Sequence, residues 1–467
     1  MKPEQSLRLL PAIEKLLQHE RLQSLSSSLS PEILTQCARR AVTALRASWM
    51  QQAPETVDED LALDQAVALT LEEAAKLLTP SLKKVINGTG VILHTGLGRA
   101  VLSQAAKQVM QEVFEGYCNL ELDLATGKRG DRHQHVERLL RDLTGAEAAC
   151  VVNNNAAAVF LVLNTIANKK EIVTSRGQLV EIGGSFRMPE VVKKSGARLV
   201  EIGTTNKTKL ADYANAITSR TAGFLVVHTS NYRILGFTHE VELKELTKLA
   251  RARNVLVVHD LGGGVLVDLR KWSLPYEPVV SESIDAGVDV ATFSGDKVLG
   301  GPQCGLIVGK RELIGKVKKN PLMRALRCDK LTLALLENTL RLFLNPSRLI
   351  EQHEVFRMMA EPVSVVQERA EKLQTLLLSA CGDRLELQVA PAESEAGSGA
   401  LPLEKIPSYA VILKSHVLSA NALAQKLRSA RVPVLGYVRE ERLWLDMRTI
   451  NDEELPHICA CVSAVLA

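Results

Sequence analysis

The chain has 467 residues, of which 46% are hydrophobic and 24% charged, and its formal net charge at pH 7 is +4. This length and hydrophobic content predict a globular protein of two or three domains, while the charge is too small to indicate nucleic-acid binding by itself. Because the eight cysteines include no Cys-x-x-Cys pair, we expect reduced thiols, a cytoplasmic location and no metal site. Neither a signal peptide nor a membrane-spanning segment is expected.

Residues 1–80 are predicted to form a small helical domain. Hydrophobic side chains recur at helical spacing between residues 7 and 17, and the arginines Arg39, Arg40 and Arg46 gather on a further predicted helix. A basic helix can contact nucleic acid, but it can equally serve packing or oligomerisation.

The clearest pattern of the chain is the alternation of apolar strands and amphipathic helices over residues 81–345, which predicts a large α/β domain of doubly wound type. Its first informative motif is the short apolar strand Ala149–Val152, followed by a turn containing Asn154 and Asn155 and a run of small residues that begins at Ala156. Free N–H groups at the start of the following helix suit a phosphate group. The alternative is that an asparagine merely caps the helix.

Two further strand ends carry polar side chains. His228 heads the turn after the apolar strand 224–227, where its ring can stack on a bound ligand. Asp260 follows shortly after the apolar run 255–258 and stands before the three glycines 262–264, so it is expected at the carboxyl end of a buried parallel strand. A carboxylate there can pair with the ring nitrogen of a cofactor, or it can serve as a helix N-cap.

Lys297 follows a predicted strand, residues 288–292, on a turn of glycines and small residues. This context is typical of a lysine that holds pyridoxal phosphate as a Schiff base, because the amine must be deprotonated to attack an aldehyde and a desolvated loop favours the neutral form. The hydroxyl of Ser294 can reach the cofactor phosphate. An ordinary surface turn is the alternative for this stretch alone, but lysine, acid and phosphate anchor together favour the cofactor.

The last part of the chain, residues 346–467, is predicted to be a smaller α/β domain. Residues 385–389, 411–413 and 443–446 have the composition of strands, and Pro391–Gly399 is predicted to be a loop because it is rich in Ala, Ser, Glu and Gly.

Several motifs together resemble one family, the bacterial selenocysteine synthases or L-seryl-tRNA(Sec) selenium transferases. The similarity extends over nearly the whole chain, and its most specific segments are Val152–Ala158, Ser175–Gly177, His228–Tyr232, Ser294–Lys297 and Leu299–Pro302.

The resemblance implies a fold of the aspartate-aminotransferase type, fold type I of the pyridoxal-phosphate enzymes, with the cofactor on Lys297. It implies conversion of L-seryl-tRNA(Sec) to L-selenocysteinyl-tRNA(Sec) with selenophosphate, through an aminoacrylyl intermediate on the cofactor. Lys297 is then the general base for the α-proton, and Asp296 is a candidate to assist proton or phosphate chemistry. The family further implies tRNA contact by residues 1–80 and a homo-oligomer, a decamer assembled from dimers.

An anionic selenium donor needs cations, and the resemblance assigns this role to Arg99, Arg324 and Arg327. Arg99 lies on a glycine-rich loop and is expected to act in the site of a neighbouring subunit. Arg324 and Arg327 are three residues apart, so on a helix they would project from one face toward the same phosphate oxygens. The alternative is a solvated basic face.

Two other functions remain open at the level of the sequence. One is a pyridoxal-phosphate enzyme that performs β-elimination or β-replacement on a free amino acid, which would share Lys297 and Asp260 but needs an arginine for the substrate carboxylate. The other is a non-catalytic tRNA-binding protein that keeps the fold.

Overall fold

A computed structural model describes residues 6–52, 56, 58–182, 184, 186–398 and 400–466. Two compact units divide the chain, Met1–Lys84 and Val85–Ala467. The division into three domains with boundaries at residues 80 and 345 stays a prediction.

The first unit is helical, as predicted. Its α-helices are Ile13–Leu17, Glu20–Gln23, Pro31–Gln51 and Glu59–Leu78, with 3-10 turns at Leu7–Leu9 and Ser24–Ser27. Ser30 and Asp58 cap the two long helices, because their side-chain oxygens accept hydrogen bonds from N–H groups of the first turn. Leu16, Trp49 and Val67 are buried in one apolar cluster that holds these helices together.

The second unit contains two main sheets and two short strand pairs. Its strands are β1 (Ile86–Asn87), β2 (Ala148–Val152), β3 (Glu171–Ser175), β4 (Glu181–Ile182), β5 (Phe186–Arg187), β6 (Arg198–Ile202), β7 (Thr221–Val227), β8 (Leu256–Asp260), β9 (Val290–Ser294), β10 (Gly305–Gly309), β11 (Leu385–Gly397), β12 (Ala400–Ser415), β13 (Val434–Leu435), β14 (Tyr437–Arg439) and β15 (Arg442–Asp446).

The large sheet has seven strands in the order β2-β10-β9-β8-β7-β3-β6. Strands β6, β3, β7, β8 and β9 are parallel to one another, whereas β10 runs antiparallel to both β9 and β2. The parallel arrangement places the carboxyl ends of β7, β8 and β9 at one edge of the sheet, where the predicted site residues follow.

Helices surround this large sheet and the smaller one. The α-helices of the unit are Gln104–Phe114, Gln134–Thr144, Asn155–Ala167, Met188–Lys194, Leu210–Asn215, Leu243–Ala252, Val280–Asp285, Arg311–Lys319, Met323–Leu326, Lys330–Leu342, Leu349–Gln352, Glu354–Ala360, Val363–Cys381, Ala420–Arg428 and Leu455–Leu466. Short 3-10 helices lie at Thr95–Leu97, Arg176–Gln178, Leu269–Trp272, Pro346–Arg348, Gly382–Arg384, Met447–Thr449 and Asp452–Glu454.

The large sheet is buried on both faces. Along β2, Ala149 and Val151 belong to one apolar cluster while Cys150 and Val152 belong to another, so successive side chains enter cores on opposite faces. This is why β2, β8 and β9 read as continuous apolar runs in the sequence.

The smaller sheet has the antiparallel order β11-β12-β15-β14 and packs against helices Val363–Cys381 and Leu455–Leu466 in a third core. The prediction of a loop at Pro391–Gly399 is wrong, because β11 continues to Gly397 and pairs with β12 in a long hairpin. Gly399 itself lies outside the described residues. Ser394 and Ala396 are buried and Glu395 between them is exposed, so the small and acidic residues that suggested a loop form a two-faced strand.

No helix among the described residues is both long enough and apolar enough to cross a membrane.

Candidate active site

The candidate site lies at the carboxyl edge of the large sheet, where adjacent strand ends bring polar residues together. Asp260 is the last residue of β8, Ser294 is the last residue of β9, and His228 directly follows β7. In the strand register Asp260 lies beside Thr292 of β9 and Val227 of β7. The predicted residues are therefore neighbours in space although they are far apart in the chain.

Lys297 is buried in the turn that follows β9, with 7% of its surface exposed. A Cβ atom placed on Gly262 would lie 3.9 Å from Lys297 Nζ, which puts the amine beside the loop after β8. Burial lowers the pKa of Lys297, and the charge of Arg99 acts in the same direction, while Asp260, Asp296 and Glu277 oppose them. A depressed pKa makes the neutral amine more accessible, which nucleophilic attack on a carbonyl requires.

Asp260 is 5% exposed and is held by hydrogen bonds that all reach the same oxygen. Its Oδ1 accepts from Asn155 Nδ2 at 2.8 Å, from the Gly262 N–H at 3.1 Å and from Thr292 Oγ1 at 3.2 Å. Among the described residues none donates to Oδ2, so that oxygen can serve a ligand. Burial raises the pKa of Asp260, and the three donors oppose this shift.

The two asparagines of the turn after β2, Asn154 and Asn155, have different roles. Asn154 caps helix Asn155–Ala167, because its Oδ1 accepts a 2.8 Å bond from the Ala157 N–H, as the capping alternative expected. Asn155 instead orients Asp260. The N–H groups of Asn155 and Ala156 belong to the first helical turn, where main-chain donors lie beyond the helical ladder and suit an anion.

Gly305 on β10 makes room for this turn. A Cβ atom at residue 305 would lie 2.1 Å from the Asn154 carbonyl oxygen and 2.8 Å from the Asn155 nitrogen, both backbone atoms that cannot easily move. The close approach explains why a glycine begins the strand beside the helix start.

His228 is fixed at its backbone and at its ring. Its N–H donates to the Asp260 carbonyl at 2.8 Å, and its Nε2 lies 3.2 Å from Oε2 of Glu277. Glu277 is a buried residue of the loop before helix Val280–Asp285, and the sequence analysis did not single it out. Its loop position carries no periodic signal that would have indicated it.

Two buried oxygens near Lys297 and Asp260 lack a hydrogen-bond partner among the described residues. They are Asn155 Oδ1 and Ser230 Oγ, and Ser230 is 1% exposed. Because buried polar atoms are normally satisfied, both indicate a polar ligand in this place. A buried lysine, a buried carboxylate, a helix start and Ser294 at the end of β9 fit the aldehyde, ring nitrogen and phosphate of pyridoxal phosphate.

Asp296 and Arg99 form an ion pair next to Lys297. Arg99 Nη1 lies 2.6 Å from Asp296 Oδ2, and the carboxylate side chain is 8% exposed while that of the arginine is 35% exposed. Arg99 has a left-handed backbone (φ 62°) in a loop held by its own N–H bond to the His94 carbonyl. Within one chain this arginine therefore already lies at the lysine turn, and its expected action in a neighbouring subunit stays a prediction.

Arg324 and Arg327 line a separate cleft of about 530 Å³ together with Arg129, Arg132 and Lys318. The expectation that they share one helical face is wrong, because helix Met323–Leu326 ends before Arg327, whose backbone is extended. Arg327 instead bridges to Val152 at the end of β2, so its main chain adjoins the asparagine turn.

Glu121 organises the cations of this cleft. Its carboxylate accepts from Arg129 at 2.8 Å and from Nε of Arg132 at 3.0 Å, and Arg327 Nη1 lies 3.8 Å away. The clustered hydrogen bonds lower the pKa of Glu121, with Arg132 the largest cause. The structure thus brings Arg324 and Arg327 together with further cations but places the Arg99 side chain against Asp296.

Comparison with known proteins shows similarity to one enzyme family over nearly the full length of the chain. The profile of the L-seryl-tRNA selenium transferase family matches residues 85–451, and that of the selenocysteine synthase N-terminal region matches residues 7–46. Proteins named L-seryl-tRNA(Sec) selenium transferase are similar in sequence: that of Alkaliphilus oremlandii (strain OhILAs) is 44% identical, covering 98% of both chains. That of Moorella thermoacetica is 46% identical, covering 96% of this chain and 95% of its own.

Among solved structures, D-glucosaminate-6-phosphate ammonia-lyase is similar in fold, with a TM-score of 0.55 and 18% identity over 84% of this chain and 98% of that one. The predicted fold class, an aspartate-aminotransferase-like large domain with helices at the N-terminus, is confirmed.

Proposed function

The chain belongs to the L-seryl-tRNA selenium transferase family, and from this premise we propose that it converts L-seryl-tRNA(Sec) to L-selenocysteinyl-tRNA(Sec), with pyridoxal phosphate as cofactor and selenophosphate as selenium donor. The observation that carries the proposal is the buried Lys297 amine beside the buried Asp260 carboxylate, at the carboxyl edge of the sheet.

The residues that would hold the cofactor occupy adjacent strand ends. Lys297 would bind its aldehyde carbon, and Asp260 Oδ2 would accept from its protonated ring nitrogen. Ser294 and the helix start at Asn155 and Ala156 would take its phosphate, with Asn154 holding that helix start in shape. When bound, pyridoxal phosphate supplies an electron sink for a carbanion at the substrate α-carbon.

Lys297 Nζ is the group that moves the α-proton. Burial depresses its pKa, so its neutral amine would be able to accept the proton at Nζ and later return it. In the net reaction the serine Cβ–O bond would break and the hydroxyl would leave as water, a Cβ–Se bond would form, and a water molecule would cleave the Se–P bond. Seryl-tRNA and selenophosphate would thus give selenocysteinyl-tRNA and phosphate. Asp296 is proposed to assist proton transfer to the leaving hydroxyl or the donor, and the support is its burial and its ion pair with Arg99 next to Lys297.

Donor binding is assigned to Arg99, Arg324 and Arg327. The support is the group of guanidinium groups on the wall of the cleft that contains Arg324 and Arg327, and the separate position of Arg99 beside Asp296. Guanidinium groups bind phosphate oxygens in bidentate geometry, which suits a selenophosphate trianion or dianion.

Replacing Arg327 by alanine should raise KM for selenophosphate by about 10-fold with little change in kcat, because one charged hydrogen bond of a partly exposed group is lost. Initial rates at varied selenophosphate concentration measure this. Arg138→Ala, which removes an exposed arginine paired with Asp142, is the matched control and should behave as wild type. An increase confined to KM for the charged tRNA would instead assign Arg327 to tRNA binding.

The first unit is proposed to contact the tRNA. Arg39, Arg40 and Arg46 are exposed along helix Pro31–Gln51, where they can pair with backbone phosphates of the tRNA.

A cytoplasmic location is proposed as well, and it is supported by the aminoacyl-tRNA substrate and by the unpaired cysteines. Assembly of dimers into a homodecamer is also proposed, and it is supported by large apolar side chains exposed on the second unit, including Phe114, Tyr117 and Phe237.

The proposed substrate is tested by adding seryl-tRNA(Sec) or free serine to the purified holoenzyme without a selenium donor and recording the cofactor absorbance. We expect a spectral change with the charged tRNA and none with free serine, because the site is proposed to take an ester that has no free carboxylate. A response to free serine alone would assign the protein to β-elimination or β-replacement on a free amino acid.

A further inference from the structure

The long hairpin β11–β12 starts in the smaller sheet, but its far end belongs to the large core. Ala396 and Leu401 are buried in the same apolar cluster as Phe293 of β9. The main chain joins as well, since the Leu93 N–H donates to the Ala396 carbonyl at 2.8 Å and Ser398 Oγ donates to the Leu93 carbonyl at 2.6 Å. The hairpin tip is therefore a wall of the region around the active site rather than a free protrusion.

Leu401 near the tip has a strained backbone. Its φ of 47° lies in the left-handed region, which a branched, bulky side chain rarely adopts and which costs of the order of 1 kcal/mol or more. Such a conformation persists only where surrounding contacts determine it. One of these contacts is the Leu401 N–H, which donates to Oε1 of Glu277 at 3.2 Å.

Glu277 connects this tip to the active site. Its side chain is 9% exposed, its Oε1 accepts from the hairpin, and its Oε2 lies 3.2 Å from Nε2 of His228. Because an ionised carboxylate only accepts, His228 must present Nε2 as a donor, and in the neutral ring Nδ1 is then the acceptor. The backbone N–H of His228 donates to the Asp260 carbonyl, so the main chain of His228 is held next to the proposed cofactor carboxylate and Glu277 holds its ring.

We infer that Glu277 is a positioning residue for the reaction: it holds the orientation and tautomer of His228 with one oxygen and locks the hairpin tip with the other. This inference rests on the proposed function, because it takes His228 to face the pyridoxal-phosphate ring. Through Glu277 the hairpin tip would support the position of His228, and the sequence around Glu277 gives no sign of this link.

The informative variant is Glu277→Gln. The glutamine carbonyl can keep the Leu401 N–H bond, which turns the side-chain NH2 toward His228 Nε2 and forces the imidazole into the other tautomer. We expect the hairpin to stay ordered, the cofactor-free protein to bind pyridoxal phosphate about 10-fold more weakly, and kcat to fall about 10-fold with KM for the charged tRNA nearly unchanged. A shifted absorbance maximum of the bound cofactor should accompany these losses.

Two further variants separate positioning from stability. Glu277→Asp keeps the charge and should recover part of the cofactor affinity, while Glu277→Ala should in addition speed hydrogen exchange of the Leu401 amide. Glu395→Gln is the matched control, because it removes an exposed ion pair with Lys405 on the same hairpin and should leave cofactor affinity and kcat unchanged.

The inference is overturned if Glu277→Gln matches wild type in cofactor affinity, absorbance maximum and kcat while Glu277→Ala loses protection of the Leu401 amide. Glu277 would then only anchor the hairpin. Cofactor affinity and absorbance can be measured without selenium transfer. If the wild type binds the cofactor but forms no selenocysteinyl-tRNA, the proposed function is refuted, and the cofactor measurements on the Glu277 variants still decide the role of Glu277.

Discussion

Lys297→Ala should lower kcat by about 1,000-fold or more and remove the absorbance of the covalently held cofactor, because the variant loses both the attachment point and the base that moves the α-proton. Lys297 is 7% exposed, and its pKa is depressed mainly by burial. Among the described residues it is the only buried lysine, so no other lysine can replace it in this environment. The measurements are the visible spectrum of the purified variant and single-turnover formation of selenocysteinyl-tRNA.

The fold should survive this substitution, because it removes a costly buried amine. Lys316→Ala, which deletes an exposed lysine paired with Glu312, is the control and should keep spectrum and rate. Retention of the covalent cofactor spectrum by Lys297→Ala would mean that another amine holds the cofactor.

Asp260→Asn should lower kcat by about 100-fold to 1,000-fold while the cofactor remains attached, because one preorganised charge is lost and Lys297 is intact. The change is nearly isosteric. The asparagine Oδ1 can keep the bonds from Asn155, Gly262 and Thr292, whereas the oxygen proposed to accept from the cofactor ring nitrogen becomes an NH2 donor. Steady-state rates with saturating charged tRNA measure the loss.

The same variant makes a thermal prediction for the cofactor-free protein. Burial raises the pKa of Asp260 above its ordinary 3.8, so the folded state binds this proton more tightly than the unfolded chain does. The free energy of unfolding of the wild type must then fall as the pH rises from the pKa of Asp260 in the unfolded chain through its raised pKa in the folded state. An asparagine at this position does not titrate and gives no such dependence. The Tm of Asp260→Asn relative to wild type should therefore increase over that interval.

Asp142→Asn, an exposed carboxylate on helix Gln134–Thr144, is the control for both measurements and should follow the wild type. A kcat near the wild-type value for Asp260→Asn would remove Asp260 from the chemistry and leave it the role of a structural acceptor.

The strand ends of the site were predictable because their signals are local. Buried parallel strands give uninterrupted apolar runs, and the polar residue that follows each run must lie at the sheet edge. Local patterns therefore place Asp260 and Lys297 at the same edge of the sheet, and the strand register then shows that Asp260 lies beside β9.

The contacts that tune those residues were not predictable, because they join distant segments. Nothing in the neighbourhood of Asn155 indicates that its amide turns to Asp260 rather than to a phosphate, and nothing around Glu277 indicates His228 or Leu401 as partners. The end of helix Met323–Leu326 before Arg327 depends on a bridge to Val152, which is again a long-range contact.

The hairpin illustrates how composition can mislead. Small and acidic residues between Pro391 and Gly399 suggested a loop, yet Ser394 and Ala396 are buried near the tip, where β11 leaves the smaller sheet and meets the large core. Burial of that kind depends on tertiary packing, which overrides local propensity in strands.

The most direct test of the account is to incubate the holoenzyme with seryl-tRNA(Sec) and selenophosphate, hydrolyse the aminoacyl ester and identify the released amino acid by mass. We expect selenocysteine from the wild type and unchanged serine from Lys297→Ala. Serine alone from a wild-type protein that carries its cofactor would contradict the proposed reaction.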